Sequence, residues 1–126
     1  MKLDYISNYN KYGDHVVRLY DFDMADANKF RNSIQHTVIT NKQSLDLATI
    51  DFIERRNCQL VLRIAETDEG IVTADNINFF CDLTTAGYEQ MVSLLEPFCK
   101  KATKGYQWLY DIDNPTDFLF SPAGTW

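Results

Sequence analysis

The sequence predicts an α+β fold: a two-layer sandwich in which two helices cover one face of a mostly antiparallel sheet. Two observations carry this reading. Between residues 76 and 83, Ile77, Phe79, Cys81 and Leu83 alternate with Asn76, Asn78, Phe80 and Asp82, the period-two pattern of a strand with one buried face. At Thr84 and Thr85 the period changes. Tyr88, Met91, Val92, Leu94, Leu95, Phe98 and Ala102 then follow at helical spacing, behind a pair of threonines suited to capping. A second apolar stripe, Met24, Ala27, Phe30, Ile34 and Val38, supplies the other helix.

The elements follow in order. The first dozen residues, rich in Asn, Lys, Tyr and Ser, read as a mobile or loosely docked lead-in over 1–12. Residues 15–22 read as a strand with apolar residues on both faces, hence central. Asp23 caps the first helix, with Asp26 adding a favourable charge to its first turn, and Thr40-Asn41-Lys42 closes it. Residues 44–54 read as one long strand whose phase shifts: Leu45 and Leu47 face one way, Ile50 and Phe52 the other, reconciled by a bulge or bend near Ala48-Thr49. Arg55-Arg56-Asn57 forms a turn, and Leu60, Leu62 and Ile64 restart the alternation. In the next turn, around residues 67–70, Gly70 is free to take a positive φ. After the 76–83 strand comes the helix at roughly 85–100, kinked or ended by Pro97. Gly105 then releases a last strand over 106–112, which Asn114-Pro115 breaks.

The predicted order is β-α-β-β-β-α-β with an aromatic tail over 114–126, interrupted by Pro115, Pro122 and Gly124. No linker or composition shift divides the chain, so one α+β domain over 1–126 is expected. The order fits a ferredoxin-like βαββαβ core with one added strand, an analogy of topology that says nothing of function.

Composition narrows the class. A chain of 126 residues, 45% hydrophobic and 13% aromatic, suits one domain with a real core. A net charge of -6 argues against nucleic acid as partner, because phosphate recognition rests on clustered Lys and Arg. Arg55-Arg56 and Lys100-Lys101 are only pairs. The acidic balance suits solubility or attraction to a basic protein, and an immunity-type inhibitor of a basic toxin would fit that charge. Cys58, Cys81 and Cys99 are an odd number without CxxC spacing and read as small buried hydrophobes. The start has no apolar h-region, and no run approaches membrane-spanning length, so a cytoplasmic protein with no membrane contact is expected.

One motif occurs twice: Leu19-Tyr20-Asp21-Phe22-Asp23 and Leu109-Tyr110-Asp111-Ile112-Asp113. Carboxylates so placed at a strand end could hold a hard cation. The first copy resembles the strand-end Asp-x-Asp of haloacid-dehalogenase phosphatases over those few residues alone. The chain is short for that fold, and the downstream lysine and acidic motif are not evident. In a ferredoxin-like order the first and last strands run antiparallel, so the two acidic ends point apart. Helix capping by Asp23 and turn formation by Asp111, Asp113 and Asn114 therefore explain the pattern better. No metal site and no cofactor are expected. His15 and His36 stand apart, and no HExxH, P-loop or GxGxxG occurs.

The aromatics are the second lead. Tyr106, Trp108 and Tyr110 share one face of the last predicted strand, and Phe118, Phe120 and Trp126 follow in the tail. Aromatic side chains with polar tips are enriched at interfaces and pockets. The expectation is a non-catalytic interaction domain that uses these six residues to bind a protein, a second copy of itself included. The tail docks either on its own sheet or across a dimer interface. The alternative is a small-ligand protein or enzyme with a carboxylate-lined pocket near Asp21 and Asp23.

Overall fold

The computed structural model describes residues 1–101, 104–112 and 114–123. The fold is α+β. Nine strands, β1 (Lys2–Ile6), β2 (His15–Tyr20), β3 (Leu45–Asp46), β4 (Glu54–Arg55), β5 (Gln59–Ile64), β6 (Gly70–Thr73), β7 (Asn78–Leu83), β8 (Gln107–Trp108) and β9 (Thr116–Ser121), are seen among the described residues. The helices are α1 (Met24–Ser33) and α2 (Thr85–Lys100). The strands form two mixed sheets, in the orders β4-β1-β2-β9-β8 and β3-β5-β7-β6. The expected order β-α-β-β-β-α-β and the single, mostly antiparallel sheet are thus corrected. In each sheet the longest central pairing, β2 with β9 and β5 with β7, is parallel over six positions.

The corrections have local causes. Lys2 to Ile6, read as a loose lead-in, pair antiparallel with β2 along their whole length. Leu3 is fully buried, the Tyr5 ring packs on Phe79 at 4.7 Å, and Asp4 meets Arg18 across the strands. The polar residues that follow had hidden this short alternation. The 44–54 segment is not one strand. Asp46 accepts a hydrogen bond from the Ala48 N–H (2.9 Å) and its carbonyl takes the Thr49 hydroxyl (2.7 Å), so a 3-10 turn over Leu47–Thr49 breaks the segment where a bulge or bend was expected. The expected last strand over 106–112 contracts to Gln107–Trp108. The predicted irregular tail instead supplies β9, the neighbour of β2 in the five-stranded sheet. The run Phe118-Leu119-Phe120, buried on both faces, is the signature of a central parallel strand, with Pro115 and Pro122 just outside it.

The helices form as their patterns require. At α1, the Asp26 N–H donates to Asp23 Oδ1 (2.8 Å) and the Asp23 N–H returns a bond to Asp26 Oδ2 (3.4 Å), a capping box. The helix continues as a π-helical stretch over Ile34–Thr40, which keeps Ile34 and Val38 buried beside Ala27 and Phe30. Met24, the first member of the predicted stripe, is 45% exposed. Thr84 caps α2 through its hydroxyl, which accepts from the Gly87 N–H (3.1 Å), and the helix passes Pro97 to end at Lys100. Arg31 binds Glu96 at 2.6 Å and ties the two helices together. Phe120 of β9 lies against Phe22 (4.0 Å), Phe98 (5.2 Å) and Phe30 (5.9 Å). One cluster of buried side chains therefore draws on both sheets and both helices.

The outer faces of the two sheets repeat one arrangement. Arg18 on β2 grips Asp4 on β1 with two bonds (2.7 and 2.9 Å) and lies 4.0 Å from the Tyr20 ring centroid. Arg63 on β5 grips Asp82 on β7 with two bonds (both 2.7 Å) and lies 3.9 Å from the Phe80 ring. Each arginine faces its aspartate directly across the strands, so a planar guanidinium serves a carboxylate and a π face at once.

Candidate functional site

A broad concavity lies between α2 and the segment leading from β8 towards β9. Gln90 and Leu94, four residues apart on α2, stand beside the buried stripe of Tyr88, Met91, Val92 and Leu95 and form one wall. Gln107, Trp108, Tyr110, Asp111 and Ile112 form the other, and Asp117 of β9 completes a groove of about 570 Å³. A smaller pocket of about 70 Å³ adjoins it at the start of α2, sharing Gln90, Tyr110, Asp111 and Ile112 and adding Asp68 and Gly87.

The groove wall is held by specific bonds. Tyr110 places its hydroxyl against the edge of β6, accepting from the Ile71 N–H (3.1 Å) and donating to the Thr116 carbonyl. Burial raises its phenol well above the ordinary value. Asn114 donates from Nδ2 to the Glu69 carbonyl (2.7 Å) and the Ile71 carbonyl (3.1 Å), while its Oδ1 accepts from the Thr116 N–H (2.8 Å). These two side chains cover the backbone of an edge strand and join the two sheets. Gly70 allows the approach: a Cβ there would sit 2.9 Å from Tyr110 Cζ, and its φ of +80° suits glycine.

Trp108 is half-buried and has two rings for neighbours. Tyr106 meets it edge-on at 5.6 Å and Tyr9 lies at 6.4 Å. Tyr9 also donates its hydroxyl to Asp117 Oδ2 (2.7 Å). Burial first, and then the Asp117 carboxylate, push the Tyr9 phenol up to about 12. Tyr9 thereby links the indole to one of the groove's carboxylates.

Of the six aromatics expected to share an interaction surface, the five described ones separate. Tyr106 is 51% exposed and Trp108 half-buried beside it. Tyr110 spends its hydroxyl on the β6 edge. Phe118 and Phe120 are 1% and 0% exposed and belong to the core, because their strand is internal to the sheet. Trp126 lies outside the described residues. The described part of the tail thus docks within its own chain through β9. Sequence reasoning missed Tyr9, Gln90 and Asp117, and it assigned Leu94 to the apolar stripe of α2, where the structure leaves it half-buried at the groove. Gln90 and Leu94 carried a usable signal, their i, i+4 spacing beside the buried stripe of α2.

The acidic strand ends also have definite places. Asp21 forms an ion pair with Lys2 at 3.0 Å, and Asp23 is the α1 cap. Asp111 is exposed in the groove, and Asp113 lies outside the described residues. Asp21 follows the end of β2, where its N–H donates to the Ser121 carbonyl at the end of β9. Asp111 precedes the start of β9, and β2 and β9 are parallel. The strand register therefore puts the two acidic segments at opposite ends of the sheet. Among the described residues no group of three or more His, Cys, Asp or Glu side chains could hold a metal ion.

A cavity of about 260 Å³ does lie beside Asp23, lined by the apolar Phe22, Met24, Phe98, Pro122 and Ala123 and by Lys101 and Lys104. Asp23 is the only carboxylate among its described lining residues. The thiols of Cys58 and Cys81 are pushed up to about 12 by burial, which leaves neither activated as a nucleophile. His15 accepts the Asn8 N–H at Nδ1 (3.1 Å), and His36 is exposed on the π-helical stretch, its Nε2 3.3 Å from Asn41 Nδ2. No helix among the described residues is long and apolar enough to cross a membrane. Compared with protein-family models, curated proteins and solved structures, the chain matches none, so its functional reading rests on the chemistry of the groove.

Proposed function

We propose that this protein is a non-catalytic interaction domain that seats a protein partner in the groove between α2 and the 107–112 segment. The observation that carries this reading is the Trp108–Tyr106 pair, accessible at a groove of about 570 Å³. Accessible aromatics beside a concavity are what partner anchors use, since each combines large apolar area with few rotatable bonds. The partner engages side chains rather than adding a strand. The outermost strands β3, β4 and β8 are two residues long, and β6 is covered by Tyr110 and Asn114, so among the described residues neither sheet offers a long open edge.

The test is a photo-crosslinking amino acid placed at position 90 in the native host. A discrete adduct with one protein is expected, lost when Trp108→Ala is added and not seen from position 32 on α1. Adducts scattered over many proteins, or equal labelling from both positions, would overturn the reading.

A second reading, a small-ligand protein, has the 260 Å³ cavity beside Asp23, with its apolar wall of Phe22, Met24 and Phe98, in its favour. Saturable binding of a small apolar ligand, abolished by filling the cavity with Met24→Trp, would support it.

A further inference from the structure

The groove carries the elements of an arrangement that the chain completes twice elsewhere. At Arg18 and at Arg63 a guanidinium lies over an aromatic ring and grips a carboxylate. The groove supplies the corresponding ring, Trp108, and the corresponding carboxylates, Asp111 and Asp117, and its described lining residues include no Arg, Lys or His. Tyr9 joins the two parts, with its ring beside Trp108 and its hydroxyl on Asp117. The adjoining small pocket adds a further carboxylate, Asp68, and again no cation. Indole is the strongest of the aromatic faces for a cation, and arginine exploits ring and carboxylate together better than lysine.

From this we infer that the groove receives an arginine-bearing basic segment of a partner protein, its guanidinium over Trp108 and paired with Asp111 or Asp117. The inference rests on the reading of the groove as a partner site and names the chemistry of that partner. Three features favour this occupant. The groove's carboxylates, Asp111 and Asp117, with Asp68 of the adjoining pocket already holding Thr84, do not form a cluster that could hold a metal ion among the described residues, so they suit the side chain of a basic segment. The amide side chains of Gln90 and Gln107 stand in the same walls, where they can serve the polar backbone of an extended peptide. The whole chain carries a net charge of -6, which draws a basic segment towards it and repels an acidic one.

The experiment is NMR titration of the full chain with four capped pentapeptides: Gly-Arg-Gly-Arg-Gly and its Lys, Glu and Phe counterparts. The Trp108 indole N–H and the Gln90 and Gln107 side-chain amides are the reporters. The arginine peptide should shift these signals saturably, more tightly than the lysine peptide and more weakly as salt is added. Asp111→Asn, at an exposed position, should weaken the interaction several-fold with the rest of the spectrum unchanged. Trp108→Ala should weaken it about tenfold or more. Equal binding of the lysine peptide would overturn the guanidinium assignment. Binding of the phenylalanine peptide alone would overturn the cationic partner and leave the partner groove standing. Groove signals that move with the protein's own concentration would seat a second copy there and overturn a foreign segment. No shift at the groove with any peptide would overturn the inference, and the adduct from position 90 shows separately whether the interaction reading survives.

Discussion

Asp75 shows how far single residues can be read from sequence and where that reading stops. Its neighbours announce a strand from residue 76, yet β7 begins at Asn78. The two preceding residues belong to a turn organised by the Asp75 carboxylate, which accepts the Ile77 N–H (3.0 Å), the Asn78 N–H (2.8 Å) and Asn78 Nδ2 (2.9 Å). Asn76, at φ +59°, takes the left-handed conformation that a short polar side chain tolerates. The bonds from Asn78 and Ile77 lower the Asp75 pKa from 3.8 to about 2. Because the folded value is depressed, the carboxylate's contribution to stability is present above 3.8 and is lost as pH falls through about 2. Asp75→Asn should therefore be less stable than the parent at neutral pH, and the gap should close between those two values. Urea denaturation at a series of pH values checks this. A gap independent of pH would show that the turn does not depend on the charge. Local periodicity marked the strand, but a turn built by one side chain against three donors has no period to detect.

At the scale of elements, agreement follows the length of the pattern. The 76–83 strand and the 85–100 helix were legible because each repeats its period several times and a capping threonine stands between them. Elements of two residues, β3, β4 and β8, were not, since two residues carry no periodicity and exist only because a longer strand lies beside them. The latch on β6 belongs to this class. Tyr110 looked like a surface aromatic at the sequence level, and its partner, the Ile71 N–H, is 39 residues away. Tyr110→Phe keeps the ring and removes the hydroxyl, leaving the Ile71 N–H and the Thr116 carbonyl without that partner. The cost should be about 1–3 kcal/mol, with hydrogen exchange at the Ile71 amide accelerated ahead of the β7 amides. Gly70→Ala should loosen the same contact, because its Cβ would meet the ring at 2.9 Å with φ at +80°. Unchanged exchange at Ile71 in both variants would show that this edge is held by something else.

For the whole molecule, the α+β class was legible and the sheet arrangement was not. Hydrophobic period reports which face of a strand is buried, not which strand lies beside it. Here β2 and β9 are neighbours although nearly a hundred residues separate them. The aromatic tail is where this mattered most for function, because core and surface aromatics look alike in sequence. The structure divides them, and one comparison tests the division. Phe120 joins the five-stranded sheet to α1 and α2 through Phe22, Phe30 and Phe98 and is fully buried. Phe120→Ala should cost about 3–5 kcal/mol, the usual range for truncating a buried phenylalanine. That is a large part of the 5–15 kcal/mol typical of a domain. Tyr106, half exposed with its ring edge-on to Trp108, should cost no more than about 1 kcal/mol when changed to Ala, while partner binding at the groove weakens. Urea denaturation measures the first effect as a lower midpoint with an unchanged slope, and the crosslinking yield from position 90 measures the second. If Tyr106→Ala proved as destabilising as Phe120→Ala, both residues would be structural, and the proposed partner site would lose one of the two aromatics on which it rests.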